Sequence, residues 1–410
     1  MNSRERINNA LRFKDPDRVP IDFNGHRSSG IHVKAYERLR NYLQLPPSPL
    51  YIYDFIQQLA IVEEDVLEIL GSDVLQLGCD FNLRHDYWKD WIMHDGTKTK
   101  IPAFIDVRLE NDGYVIYNSL GKPTGIQKFS CLYFEQTNFP LADDFEKDSF
   151  DDLSAINEDV MWMHVPCPPM PIDLKSPDGK RAFKKIAAKT RDSTDRAIYG
   201  IFGGNLVEVG QYTFRIDNFL CELLAEPERI HNYLDTLLAM HMENLENYLD
   251  SVGEHLDVIG FGDDMGTQTG PQFSTDVYEE FFKPRHKKMW DYVHERFPEL
   301  KICLHCCGAV RPLLPHLIEA GLDAINPVQF NCTGMDLTEL KNEFNGKLVF
   351  WGGGCDTRDI LPKGSPQDIA KHVAECVKIM KPGGGFVFQQ VHNIMADVPP
   401  ENIVAMFKAI

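Results

Sequence analysis

The sequence predicts an α/β protein of the (β/α)₈ barrel class, a TIM barrel, with an antiparallel β insertion after the second strand. Three observations carry that prediction. Eight short apolar segments recur along the 410 residues, helical patterns separate several of them, and the segments end in unusually polar or glycine-rich residues. In a barrel those ends converge on one face, where chemistry is built from several strands at once.

In chain order, the predicted strands are Arg18–Phe23, Asp73–Leu77, Ala197–Phe202, Asp257–Phe261, Lys301–His305, Asp323–Asn326, Leu348–Trp351 and Phe386–Val391. Helical periodicity is clearest over Glu228–Ser251, Val277–Glu295, Arg311–Ala320 and Pro366–Met380. Residues 88–140 read differently, because Asp95-Gly96 and Asp112-Gly113 lie between β-forming stretches and favour hairpins. We expect this segment to be a β-rich insertion that forms a lid or wall of the cleft, within one domain spanning residues 1–410. Val165–Pro171 is too proline-rich for a helix and reads as a connecting loop.

Composition bounds the function classes. A hydrophobic content of 43% and a charged content of 25% are those of an ordinary globular protein with a sizeable core. No run approaches a membrane span, and the N-terminal segment lacks the apolar stretch of a signal peptide, so the expected location is cytoplasmic. The net charge of −19 opposes broad affinity for nucleic acid phosphates. The ten cysteines should then be reduced thiols, with metal ligation the chief exception to burial as small apolar groups. Cys79, Cys131, Cys167, Cys221, Cys332 and Cys376 have no ligand-like spacing.

Leu304-His305-Cys306-Cys307-Gly308 is the most telling stretch. Residues i and i+2 share a face of a strand, so His305 and Cys307 point one way, Cys303 lies deeper on that face, and Cys306 points away. An imidazole and a thiolate are half of a catalytic zinc site, which usually takes three protein ligands and leaves a fourth position open. His392, at the end of the last strand, is the preferred third ligand, and Cys355, after the triple glycine of the seventh, is the alternative. Asp263 and Asp264 follow the fourth strand as paired carboxylates suited to acid, base or metal-partner roles. The plainer reading of Asp263 is a cap or a partner of Arg285. Asn326 and Gln329 offer amides for orienting a polar substrate, and Gly353 and Gly354 allow close backbone approach to a bulky ligand.

Motifs throughout the chain resemble the uroporphyrinogen decarboxylase superfamily, specifically its zinc-dependent branch that moves methyl groups to or from corrinoids, including O-demethylase methyltransferases. They are Ser3-Arg4-Glu5-Arg6, Asp17-Arg18-Val19-Pro20, Asp263-Asp264-Met265-Gly266, Pro284-Arg285-His286, Val391-His392-Asn393-Ile394 and Pro400-Glu401-Asn402-Ile403. The resemblance implies a TIM barrel holding Zn²⁺ by a His-x-Cys pair and a third ligand near the chain's end. Counting back from Glu401-Asn402, that ligand falls on His392, where thiol methyltransferases of the family carry cysteine.

The implied activity is transfer of a methyl group from a methoxylated compound, an aromatic one in the preferred version, to a corrinoid. A separate corrinoid protein is the expected partner, because no cobalamin-binding module is visible in the sequence. The alternative is methyl transfer from a methylated corrinoid to a thiol. A tetrapyrrole decarboxylase or a non-catalytic corrinoid-binding module is a further alternative, weakened because Asn24–Gly30 holds one arginine where decarboxylases are arginine-rich. Assembly as a monomer or a homodimer is left open by the sequence.

Overall fold

A computed structural model describes residues 1–78, 85–164 and 172–410. Cys79, Cys167 and the predicted Val165–Pro171 loop lie outside the described residues. Seven parallel strands form one curled sheet in the order of the chain: Val74–Gln76, Ala197–Gly203, Val258–Gly262, Lys301–His305, Ala324–Asn326, Val349–Trp351 and Phe386–Val387. The predicted first strand contributes a bridge rather than a full strand. Ile21 pairs parallel with Phe388 on one side, and on the other the Asp73 amide donates to the Ile21 carbonyl at 2.7 Å. The sheet therefore closes through this segment into a barrel.

Strand alternation divides the apolar residues into two layers. Val74, Ala197, Tyr199, Val258, Cys303, Ala324, Val349, Trp351 and Val387 pack inside the barrel, and Ile7, Ala10 and Leu11 of the Ser3–Leu11 helix join them. Large and small residues complement one another there. Tyr199 meets Trp351 edge-on at 5.6 Å, and a Cβ on Gly260 would stand 2.5 Å from the Tyr199 ring. Ile198, Ile259, Ile302, Leu304, Ile325 and Phe350 face the outer layer and pack with the helices. Removing the fully buried Trp351 side chain would cost about 3–5 kcal/mol and would also strip Asp22 of its 2.7 Å indole hydrogen bond.

Two of the sequence motifs hold the barrel closed at the end opposite the polar strand ends. Asp73, fully buried, accepts from Arg6 at 2.7 Å, from Arg18 at 2.7 Å and from the Ile21 amide at 2.9 Å. Arg6 also reaches Asp17 at 2.7 Å. A buried carboxylate with three charge-assisted or backbone partners is held firmly, and this one joins the first helix, the first bridge and the first full strand.

Between Val74–Gln76 and Ala197–Gly203 lies antiparallel structure. Trp88–Ile92 pairs with Lys98–Pro102, and Asp106–Glu110, Gly113–Tyr117, Pro123–Lys128 and Glu135–Gln136 form a four-stranded sheet. The Asp-Gly turns fall where the hairpins turn, with Gly96 at φ 90°. Among the described residues, no helix is long and apolar enough to cross a membrane.

Candidate metal centre

Parallel register places His305 opposite Asn326 on the neighbouring strand and opposite Gly262 on the other. Asn326 is fully buried and its amide orientation is fixed, because Nδ2 donates to the Trp351 carbonyl at 2.7 Å and to Gln389 Oε1 at 2.8 Å. Its Oδ1 is therefore the acceptor for Ser28 Oγ at 2.7 Å and for His305 Nδ1 at 2.8 Å. That assigns the proton of His305 to Nδ1 and leaves Nε2 bare. Nε2 faces the Cys307 sulfur at 3.4 Å.

One ligand atom each from His305, Cys307 and His392 lies within 4.8 Å of the other two. The two imidazoles meet edge-on at 5.6 Å between ring centroids. The last strand stops after Val387, so alternation does not govern His392; the chain turns beyond the strand and brings the ring inward. Burial, with His305, His26 and Arg27 nearby, pushes His392 down to about 3, so it is a neutral donor at physiological pH. Burial likewise lowers His305. The Cys307 thiol is pushed well up by burial and by Asp264, a balance that a bound cation reverses.

These residues fit a zinc ion. Tetrahedral zinc with nitrogen and sulfur ligands spaces its donors by roughly 3.3–3.6 Å, and His305 Nε2 and Cys307 Sγ already stand 3.4 Å apart. The Nδ1 hydrogen bond to Asn326 is the orienting contact that metal-bound histidines usually make.

The two acidic residues of the Asp-Asp pair diverge. Asp264 lines the cavity beside the donors, its Oδ1 accepting from the Cys307 amide at 2.7 Å and lying 3.7 Å from His305 Nε2. Asp263 turns away from it and is fully buried. Its oxygens accept from the backbone amides of Leu206, Val207 and Glu208 at 2.8–2.9 Å, and His286 Nε2 lies 3.3 Å away. This geometry places Asp263, one of the two carboxylates read as catalytic, outside the cavity lining. It caps the Val207–Phe214 helix, and Arg285 pairs with Asp235 instead, at 2.6 Å.

The other sequence-derived candidates are also redistributed. Gln329 accepts from the Gly308 amide at 2.8 Å and so holds the loop after the His-x-Cys pair. Gly353 and Gly354 are close-packing positions: an added Cβ would stand 3.0 Å from Val328 and 2.3 Å from Phe388, respectively. Cys355 is fully buried and apart from the three-donor group.

A cavity of about 320 Å³ opens in front of the donors. Trp162, Tyr199, Tyr212 and Phe261 supply aromatic wall, Arg27, Gln57 and Asn205 supply polar groups, and Glu208, Asp264, His305 and His392 face it together. Trp162 and Tyr212 stack at 5.8 Å with 17° between their planes, and the Arg27 guanidinium lies 5.3 Å from the Trp162 ring. Among the described residues the β-rich insertion lends no side chain to this wall; Trp162 and Met163, which follow it, do.

Glu208 escaped the sequence reading. It lies five residues past the strand ending at Gly203, in the first turn of a helix, where an acidic residue ordinarily serves only the helix dipole. The polar Gly203-Gly204-Asn205 strand end was the available signal.

Fold and site together define a parallel α/β barrel with a metal-competent donor set and a small aromatic-walled cavity at its strand ends. Residues 205–410, half of the chain, match the uroporphyrinogen decarboxylase (URO-D) family, and the chain belongs to that family. A stretch of 110 residues is 26% identical to the methylated-thiol–coenzyme M methyltransferase of Methanosarcina mazei; the match spans 25% of this chain and 25% of that enzyme. A solved methyltransferase from Methanosarcina mazei shares the fold over 100% of this chain and 98% of its own, with a TM-score of 0.58 and 17% identity.

Proposed function

We propose that this chain is a zinc-dependent methyltransferase that takes a methyl group from a methoxylated aromatic compound and passes it to a corrinoid carried by a separate protein. The observation that carries this reading is the His305, Cys307 and His392 cluster, whose two histidines line a small aromatic-walled cavity. When bound there, Zn²⁺ would supply Lewis acidity to the oxygen or sulfur atom that exchanges the methyl group.

The chain's own residues do the rest. Asn326 holds His305 in the tautomer that presents Nε2, and Asp264 holds the Cys307 backbone. Two neutral imidazoles and one thiolate leave a bound zinc with net positive charge, which suits an oxygen ligand better than a second thiolate in the set would. Trp162 and Tyr212 offer flat apolar faces for one aromatic ring. The cavity's size, near the lower end of small-molecule sites, suits a single ring and speaks against a tetrapyrrole substrate.

A second reading, methyl transfer involving a thiol, is favoured by the Methanosarcina mazei relative, a methylated-thiol–coenzyme M methyltransferase. An assay with a panel of aryl methyl ethers and thiols, supplied with cob(I)alamin or methylcobalamin, separates the two. The first reading expects methylcobalamin and free phenol to appear together from an aryl methyl ether. Turnover of thiols alone would replace it with the second, and conversion of uroporphyrinogen would overturn both.

A further inference from the structure

Glu208 is the cavity-lining carboxyl group for which the metal centre gives no account. The Ala197–Gly203 strand ends at Gly203, which with the following Gly204, at φ 91° and 68°, turns the chain sharply toward the Val207–Phe214 helix. Asp263 then fastens the start of that helix, including the Glu208 amide at 2.9 Å. The side chain is thereby held in the wall that also presents Asp264, His305 and His392.

Burial and two nearby carboxylates favour its protonated form and outweigh two hydrogen bonds that by themselves favour the carboxylate. Asn205 Nδ2 donates to Oε2, and the Tyr212 hydroxyl donates to Oε1 at 2.7 Å. Both partners are neutral, and among the described residues no lysine or arginine pairs with Glu208. Burial, with Asp264 and Asp263 nearby, pushes the carboxyl up to about 8. A glutamate that served only the helix dipole would face water and ionise; this one lines the cavity, hydrogen-bonded to neutral groups. A carboxylic acid that keeps its proton at neutral pH beside a reacting centre is suited to donate it.

We propose that Glu208 is the general acid that protonates the departing oxygen of the methyl donor. The proposal rests on the O-demethylation reading above. In the step, the bond between oxygen and the methyl carbon breaks and its electron pair stays on oxygen, which takes the Glu208 proton and leaves as a phenol. The methyl carbon bonds to the Co(I) of the reduced corrinoid, whose electron pair forms the new bond, giving methyl-Co(III). The Glu208 carboxylate regains its proton from water.

The test is a leaving-group series. Wild type, Glu208→Gln and Glu208→Asp are assayed with cob(I)alamin and ring-substituted methoxybenzenes whose phenols span weak to strong acids. Wild type should depend only shallowly on phenol acidity. Glu208→Gln should lose roughly 10²–10⁴-fold in rate with weakly acidic phenols and regain most of it with strongly acidic ones, such as cyanophenols, because a good leaving group needs no proton. Glu208→Asp should keep the shallow slope at reduced rate, and it decides the matter if the glutamine variant does not fold. A loss uniform across the series, or none, would overturn the proposal and leave O-demethylation standing. A wild type that transfers methyl from no ether would instead overturn the reading beneath it.

Discussion

Asn326 Oδ1 lies 2.8 Å from His305 Nδ1, directly across two parallel strands in register. Because the asparagine's own amide nitrogen is committed to Trp351 and Gln389, this contact selects the histidine tautomer with Nε2 free. Asn326→Ala should therefore weaken zinc binding about 10–100-fold while leaving the donors in place. Competition against a zinc chelator measures this. Unchanged affinity would mean that Asn326 is a substrate group, as the sequence first suggested.

Asp263 supports the site from behind. With three backbone amides capped by one buried carboxylate, Asp263→Ala should destabilise the protein by about 3 kcal/mol, read as a lower urea midpoint, and should retain zinc. Full stability together with lost methyl transfer would restore a catalytic role.

Gly354→Ala places a methyl group 2.3 Å from the Phe388 ring. The expected result is a loss of about 1–3 kcal/mol in stability with zinc content and KM for the methyl donor unchanged. A raised KM at unchanged stability would return Gly354 to the substrate.

His32 makes stability depend on acid. Its Nδ1 accepts from the Lys34 amide at 3.2 Å at the start of the Val33–Tyr42 helix, so the folded state needs the neutral ring, and burial pushes it down to about 4. Since the unfolded histidine titrates near 6.5 and binds protons first, its contribution is intact above that pH and fades as pH falls toward 4. The cost by pH 5 is about 2 kcal/mol. His32→Asn, which keeps a capping oxygen, should flatten the decline in urea midpoint between pH 7 and pH 5; an equal decline in both proteins would assign the acid sensitivity elsewhere.

Much of the barrel was legible because strand and helix periods differ and the turn residues punctuate them. Lys301–His305 was read with its observed bounds, and Cys303 and Cys306 face the sides that alternation assigns. The first and last strands were overestimated. One reduces to the Ile21 bridge, and the other stops at Val387, beyond which the Gln389 amide joins the interior network with Asn326 and Ser28.

Within the site, the closeness of His305 and Cys307 followed from spacing alone. The role of Asn326 did not, because it depends on register between strands 21 residues apart. Glu208 stayed hidden for a related reason: its environment is made by Asp263 and Asp264, more than 50 residues away. Asp263 and Gly354 looked chemical for their residue types, yet packing and helix capping account for both.

Whether His305, Cys307 and His392 hold a metal is decided by metal analysis of the purified protein. Wild type should carry near-stoichiometric zinc, the His305→Ala/Cys307→Ala double variant and His392→Ala should lose it, and Cys355→Ala should keep it. A zinc-free wild type, or full zinc retention in the double variant, would contradict the account.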